Sequence, residues 1–428
     1  MIWIMFIAFF VFLILGMPVA FSLGISGLIY LVGGDAGVEI TNFFPQRLFR
    51  SMDSYPLLAI PLFVLAGELM GISIIARLIE FSKSIIGNIK GSLAYVTVLA
   101  SLLFGGITGV SIAATVAIGT LMIPSMLKDG FSRSQSASII AASSSLGTII
   151  PPSIPMIVYA LAVSGTSISD MFLGGIGPGV LLALFFMIIA RILIRKNEFT
   201  NVNEEPISFK RFLVAFKESI WAILMPIIII GGIVSGIFTP TESAAIAVAY
   251  ALFVGFFINK DLKFEHLPQF MIRSGIITSV VLFLMGMANI VSWIITVNNL
   301  HVKLSDSITN ITTNPIIFMF IVVAILLFAG MFLDASPIII MLAPILSPIA
   351  VEFGIDPVHF GVVFVITIVM GMITPPVGIV LFVAASVSKE TFPNIARHTV
   401  PYLAVSLLMI SLIIFFPQLV LFVPSVFN

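Results

Sequence analysis

Gly147-Thr148-Ile149-Ile150-Pro151-Pro152 decides the fold, because it returns 224 positions later as Gly371-Met372-Ile373-Thr374-Pro375-Pro376. The same ungapped offset sets Phe104 against Phe328, Gly106 against Gly330, Pro124 against Pro348 and Gly130 against Gly354. All of these landmarks but the Phe pair are Gly or Pro. Gly loosens a helix, and Pro removes an N–H and collides with the preceding turn. An apolar chain that breaks its helices twice at matching places reads as a duplicated membrane carrier. Such breaks are where carriers place their binding sites.

Composition supports the membrane reading. The 428 residues are 60% hydrophobic and 9% charged, with mean hydropathy +1.24. That balance belongs to a polytopic membrane protein, an all-α chain bathed in a lipid bilayer. Net charge is zero, so nothing points to nucleic acid as a partner. There is no cysteine, hence no disulfide framework and no thiolate metal site. His266, His301, His359 and His398 are too scattered for metal-ligand spacing. Met1–Gly16 resembles the apolar core of a signal peptide. It lacks a basic start and a small-residue cleavage site, so it reads as a retained membrane helix.

Apolar runs and their punctuation predict the order of segments. Two short helices, 2–15 and 18–33, part at Gly16-Met17-Pro18 and precede a polar loop, 34–54. A helix near 55–72 continues as an amphipathic stretch to Lys90. Segment 92–127 is interrupted at 105–109, and 133–164 at 147–152; a helix follows near 170–195. The second half repeats this order with helices near 219–237, 240–259 and 274–297. Interrupted segments at 315–350 and 358–388 and a last helix, 396–423, complete it. Pro206 to Ser219 joins the halves. Phe209, Phe212, Leu213 and Phe216 share a face there, which suggests a helix lying in the interface.

The arms of 92–127 look too short to span a core that takes about 20 residues. A re-entrant hairpin with its tip at 105–111 fits instead, and a second one at 315–350 with its tip at 329–336. Each repeat then crosses five times, giving about 10 transmembrane helices plus 2 hairpins. An odd number of crossings inverts the second repeat. Basic residues agree: 16 fall on one side of this map and 3, Arg47, Arg50 and Lys303, on the other. The positive-inside rule makes the richer side cytoplasmic and puts both termini outside. One long helix over 2–33 would spoil both the parity and the charge split.

Chemistry is expected at the breaks. Pro151 and Pro152 should leave the carbonyls of Gly147 and Thr148 without helical donors; Pro375 and Pro376 should do the same to Gly371 and Met372. Na⁺ suits such carbonyls and half-helix C-termini, and the facing N-termini near Ser153 and Val377 suit an anion. Thr108, Ser111 and Ser336 add hydroxyls at the tips; Ser143, Ser144, Ser145 and Thr148 crowd one break, Thr367 and Thr374 the other. Any one of these hydroxyls has an ordinary reading, a bond to its own helix. A carboxylate at membrane depth costs about 2.5–3.5 kcal/mol, so Asp334, Glu68 and Glu242 are functional candidates. Glu242 also has a structural reading as a helix cap beside Thr239, and Glu68 as a subunit contact.

The candidate Na⁺ set is Gly105, Gly106, Thr108, Ser111, Gly147, Thr148, Pro151, Gly330, Asp334, Gly371, Met372 and Thr374. The candidate substrate set is Ser111, Ser144, Ser145, Ser153, Asp334 and Ser336. No Ser-His-Asp, metal or phosphate-binding pattern suggests an enzyme.

Four stretches carry a family resemblance over nearly the whole chain: Gly236-Ile237-Phe238-Thr239-Pro240-Thr241-Glu242-Ser243-Ala244-Ala245, Gly16-Met17-Pro18-Val19-Ala20-Phe21, Leu65-Ala66-Gly67-Glu68 and Ile150-Pro151-Pro152-Ser153. The first is the most specific. The chain resembles the large membrane subunit of tripartite ATP-independent periplasmic (TRAP) transporters. The resemblance implies Na⁺-driven secondary uptake in the bacterial inner membrane and an elevator-type, ion-transporter-superfamily architecture. It divides the chain into scaffold helices and arm (1–91), a transport half (92–200), a connecting helix (201–218), scaffold helices (219–300) and a second transport half (301–428). Within these halves the hairpins are 92–130 and 315–350, and the broken helices 131–165 and 357–388.

The resemblance also implies a small four-helix membrane subunit and a periplasmic substrate-binding protein as separate chains. Family substrates are organic acids such as C4-dicarboxylates and sialic acid, with overall likeness leaning to sialic acid. The alternative is a stand-alone divalent-anion/Na⁺ symporter; its paired Ser-Asn-Thr tip motif is absent. A proton-coupled carrier and a channel are further readings.

Overall fold

The computed structural model describes residues 1–33, 40–87, 89–194, 208–300, 308–309 and 312–427. Within them the chain is helical, with no strand. The first half runs α1 (Ile2–Ile14), α2 (Val19–Gly33), α3 (Ile40–Met52), α4 (Ala59–Ile86), α5 (Ser92–Thr108), α6 (Ser111–Lys128), α7 (Arg133–Ser145), α8 (Ile154–Ala162) and α9 (Ile168–Ile194). The second runs α10 (Phe209–Val234), α11 (Pro240–Phe253), α12 (Leu267–Val297), α13 (Pro315–Gly330), α14 (Ala335–Glu352), α15 (Pro357–Gly371), α16 (Ile379–Ser388), α17 (Phe392–Phe415) and α18 (Gln418–Phe427).

Apart from α3 and α18 the halves match in order, and their contacts are exchanged in pairs. α2 packs on α12 and α11 on α4; α6 on α16 and α14 on α8; α7 on α17 and α15 on α9. A two-fold relation between the halves would produce this pattern. By length and apolarity seven described helices qualify as membrane spans, or eight if the bent pair 42–52 with 55–71 counts as one. Others are shorter because they are broken: α1 and α2 part where Gly16 takes φ +82°.

Antiparallel helix pairs stand where both hairpins were expected, although α6 and α14, 18 residues each, are among the helices long and apolar enough to cross a membrane. Thr97, early in α5, lies 3.7 Å through Oγ1 from Sδ of Met126, late in α6. Phe318, early in α13, stacks on Phe353 just past α14, with ring centroids 4.6 Å apart. Side-by-side starts and ends mean antiparallel arms. The arms are longer than the sequence suggested, 17 and 18 residues in the first hairpin. The first turn is confined to Gly109-Val110, with Gly109 left-handed at φ +64°. α7 and α15 are buried almost throughout. A helix surrounded by others has no outward polar face. α7 therefore turns most of its hydroxyls onto nearby carbonyls, as Ser136 does on Ser132 and Ser138 on Gln135, while the buried Ser143 hydroxyl has no partner among the described residues.

Three segments differ from expectation. Residues 40–52 form α3 where a polar loop was expected; Phe43, Phe44 and Leu48 at helical spacing supply an apolar stripe within a polar stretch, and Phe43 lies against Trp293 of α12. No separate connecting helix ends near 218: α10 runs unbroken for 26 residues. Phe212 and Phe216 stack on each other and meet Phe81 of α4, so packing carries the helix through. Residues 201–207 lie outside the described set. The last helix is two, because Pro417 cannot donate to the preceding turn; α18 folds against α9.

Candidate functional site

Each broken helix is pinned to a hairpin by glycine on glycine. A Cβ on Gly105 would lie 2.0 Å from Cα of Gly147; one on Gly330 would lie 2.9 Å from Cα of Gly371. Backbone meets backbone at both places, and nothing larger than Gly fits. The pairing also corrects the alignment of the halves. The constant offset matches Gly330 with Gly106, whereas packing matches it with Gly105. Gly106 lies instead against the carbonyl of Pro151. Gly109 is equally confined, since a Cβ there would meet the Pro152 oxygen at 2.5 Å.

The first break holds a chain of hydroxyls. Ser111 Oγ and Thr148 Oγ1 are 3.0 Å apart, linking the hairpin tip to the break. Thr148 donates to the Ser145 carbonyl at 2.8 Å. Ser153 caps α8, accepting the Met156 N–H at 3.3 Å, and donates to the Thr148 carbonyl. The Pro151-Pro152 and Pro375-Pro376 bonds are cis.

Three of the four carbonyls expected to lack donors have them. Thr148 O accepts the Ser153 hydroxyl. Gly371 O accepts the Thr374 N–H at 2.8 Å, and Met372 O the Val380 N–H at 3.1 Å. Counting prolines removes helical donors but overlooks those that a tight turn brings back. Among the described residues no donor reaches the Gly147 carbonyl. At the second break the Gly378 N–H binds the Met331 carbonyl at 2.9 Å, tying break to tip.

One cavity of about 370 Å³ gathers both tips and both breaks. Its polar wall is Ser111 and Thr148 from the first half and Asp334 and Ser336 from the second, with Met372 beside them. Its apolar wall is one face of α12: Ile276, Ile277, Val280, Val281 and Leu284. Asp334 caps α14, its Oδ1 accepting the Ala335 N–H at 2.8 Å, and the residue is exposed.

The remaining candidates lie behind this wall or away from it. Gly105, Gly106, Thr108, Gly147, Pro151, Gly330 and Gly371 are backbone packing under the tips. Ser144 and Ser145 are buried and donate to Ile140 and Ala142, the ordinary helical reading. Ser153 is buried at its cap, and Thr374 donates to Met370. Glu242 completes a capping box with Thr239, its Oε2 accepting the Thr239 N–H at 2.7 Å. Glu68 pairs with Arg273, Oε2 to Nη1 3.8 Å. Sequence reasoning missed the α12 wall. Its signal was Ile and Val recurring every three or four residues, which also describes a lipid-facing helix.

Two hairpins and two broken helices around one cavity define a polytopic membrane transport protein. The model of the family described as "Tripartite ATP-independent periplasmic transporter, DctM component" matches residues 6–419. The chain belongs to this family. It is 36% identical to the C4-dicarboxylate TRAP transporter large permease protein DctM of Pseudomonas aeruginosa, over 94% of each chain. It is 35% identical to the sialic acid TRAP transporter large permease protein SiaM of Vibrio cholerae, over 96% of each. The crystal structure of the Alcanivorax borkumensis YdaH transporter shares the fold, with TM-score 0.60 and 16% identity over 88% of this chain and 87% of that one.

Proposed function

We propose that this chain carries an organic acid anion across the bacterial inner membrane, driven by Na⁺. The supporting observation is the single cavity on which two hairpin tips and two helix breaks converge. Hydroxyls of Ser111, Thr148 and Ser336 and the carboxylate of Asp334 supply oxygen ligands suited to a hard monovalent ion. The Gly147 carbonyl, without a protein donor among the described residues, adds one more acceptor next to Thr148. The apolar face of α12 closes one side of the site.

The repeats are inverted in this reading, both termini are periplasmic, and α5–α9 with α13–α18 slide as an elevator against α1–α4 and α10–α12. Tripartite and periplasmic in the family's description favour a small four-helix membrane subunit and a periplasmic binding protein as partners. The substrate is an acid of the C4-dicarboxylate or sialic acid kind. Near-equal identity to permeases named for each leaves the choice to the binding protein. The test is uptake into proteoliposomes carrying the assembled complex. Uptake should follow an inward Na⁺ gradient and vanish without it; uptake driven by a proton gradient in Na⁺-free buffer refutes the coupling.

A further inference from the structure

The substrate proposed above is anionic, yet among the described residues no lysine or arginine lines the cavity. Arg273 lies outside that lining, on the helix that supplies the apolar wall. It precedes Ile276 and Ile277 by three and four residues on α12, so it stands one turn along the cavity-lining face. Its side chain is 56% exposed and has one ionic partner among the described residues, Glu68, at 3.8 Å. Glu68 is 24% exposed and follows Gly67, where a Cβ would lie 3.1 Å from Cα of Thr108. The first hairpin tip, Thr108-Gly109-Val110-Ser111, thus presses on the helix that holds Arg273's partner.

Given the proposed function, we infer that Arg273 is the carboxylate station at the cavity mouth and that Glu68 is its resident competitor. The 3.8 Å separation is loose for a charge-assisted bond, which closes to about 2.7–2.9 Å. A half-exposed pair of this kind is weak and exchanges readily. A substrate carboxylate offers the guanidinium a planar two-oxygen partner, which Arg grips through two parallel N–H bonds. Glu68 then returns to the side of the tip. The pair keeps the mouth neutral when empty and selects for carboxylates when an anion arrives. Arg273 positions the substrate; it is not part of the Na⁺ site.

The two residues should act in opposite directions, which an ion pair that merely braces α4 against α12 would not do. The assembled complex is reconstituted, and Na⁺-dependent exchange of succinate and of N-acetylneuraminate is measured with acid on either side of the membrane. Glu68→Gln should lower the half-saturation concentration on the mouth side, and Arg273→Gln should raise it, each about fivefold, the worth of an exposed ion pair. Maximal rates should stay near wild type, and Arg273→Lys should restore part of the loss. Equal losses of maximal rate in both variants, with half-saturation unchanged, overturn the inference.

Arginine labelling by phenylglyoxal, read by mass spectrometry at Arg273, tests the same point without transport. Glu68→Gln should speed the labelling, and succinate should slow it. Labelling that responds to neither change also overturns the inference. Wild-type protein that exchanges neither acid, but labels as expected, would fault the proposed substrates and leave the station standing.

Discussion

Gly105→Ala is the sharpest perturbation of the site, because its cost follows from one distance. The new Cβ would sit 2.0 Å from Cα of Gly147. Carbon atoms rest about 3.5–4.0 Å apart, so the hairpin and the break must part by about 1.5 Å. Both sides of the contact are backbone, so no side-chain rotation relieves it. Overpacking on this scale costs about 1–3 kcal/mol, and a rigid backbone contact belongs at the upper end. Gly147→Ala meets the Gly105 Cα at 2.8 Å and should cost less. Its displacement is about 0.7 Å, at the lower end of the same range.

Gly231→Ala is the control: nothing lies within 4 Å of its added Cβ, and its place inside α10 favours Ala. Replacing Gly in a helix interior gains about 1 kcal/mol at most. Melting of the purified complex and Na⁺-dependent uptake should therefore rank wild type and Gly231→Ala together, Gly147→Ala below them and Gly105→Ala lowest. Uptake should fall more than thermal stability, since separating tip from break also parts Ser111 from Thr148. A Gly105→Ala protein that melts and transports like Gly231→Ala would refute the glycine contact as what holds the site together.

Asp334 combines a cap with a candidate ligand, and two substitutions separate the roles. Asn caps as well as Asp, so Asp334→Asn should keep the melting temperature while abolishing Na⁺-dependent uptake; Asp334→Ala should lose both. Full uptake by Asp334→Asn would remove the carboxylate from the ion site. Ser111→Ala should impair transport while leaving assembly with the partner subunits intact; normal rates would remove the first tip from the site. Glu242→Gln should be nearly silent, because Gln also serves a capping box. Glu242→Ala should lower the melting temperature slightly with an unchanged Na⁺ half-saturation. A shifted Na⁺ response in Glu242→Gln would contradict the purely structural role.

Breaks were legible because Gly and Pro act on their own backbone. Gly16, Gly109, Pro240 and the two Pro-Pro pairs interrupt helices where local rules put them. Partners contributed by other segments were less legible. Thr148, Gly371 and Met372 regain donors from residues three to eight positions on, through turns whose shape the Pro count does not describe. α3 and the start of α10 form against Trp293 and Phe81, which lie far off in sequence. Ser111, Asp334 and Ser336 were expected because they are polar groups at the hairpin tips, and they line the cavity. Ser144 and Ser145 looked equivalent to them, and only packing turned those hydroxyls inward.

The duplication does not make the halves equal. Phe104 and Phe328 correspond, yet Phe104 is 2% exposed and Phe328 65%. Pro152 is buried and its counterpart Pro376 exposed. The cause is the packing of the hairpins. α5 lies along α4, its tip closed over by Gly67, whereas in the second half it is α14, not α13, that lies along α12. The first tip therefore contributes hydroxyls on a backbone held from three sides. The second contributes the one carboxylate that lines the cavity among the described residues, on a tip with an open flank. Phe328 and Phe332 beside Asp334 are exposed, so the second tip has an apolar open side and is tied to its break through the bond between Gly378 and Met331. If one hairpin opens the site first, the second is the one with fewer contacts to lose. A fixed half and a freer half built from one ancestral pattern allow ligands to be held by one repeat and admitted by the other.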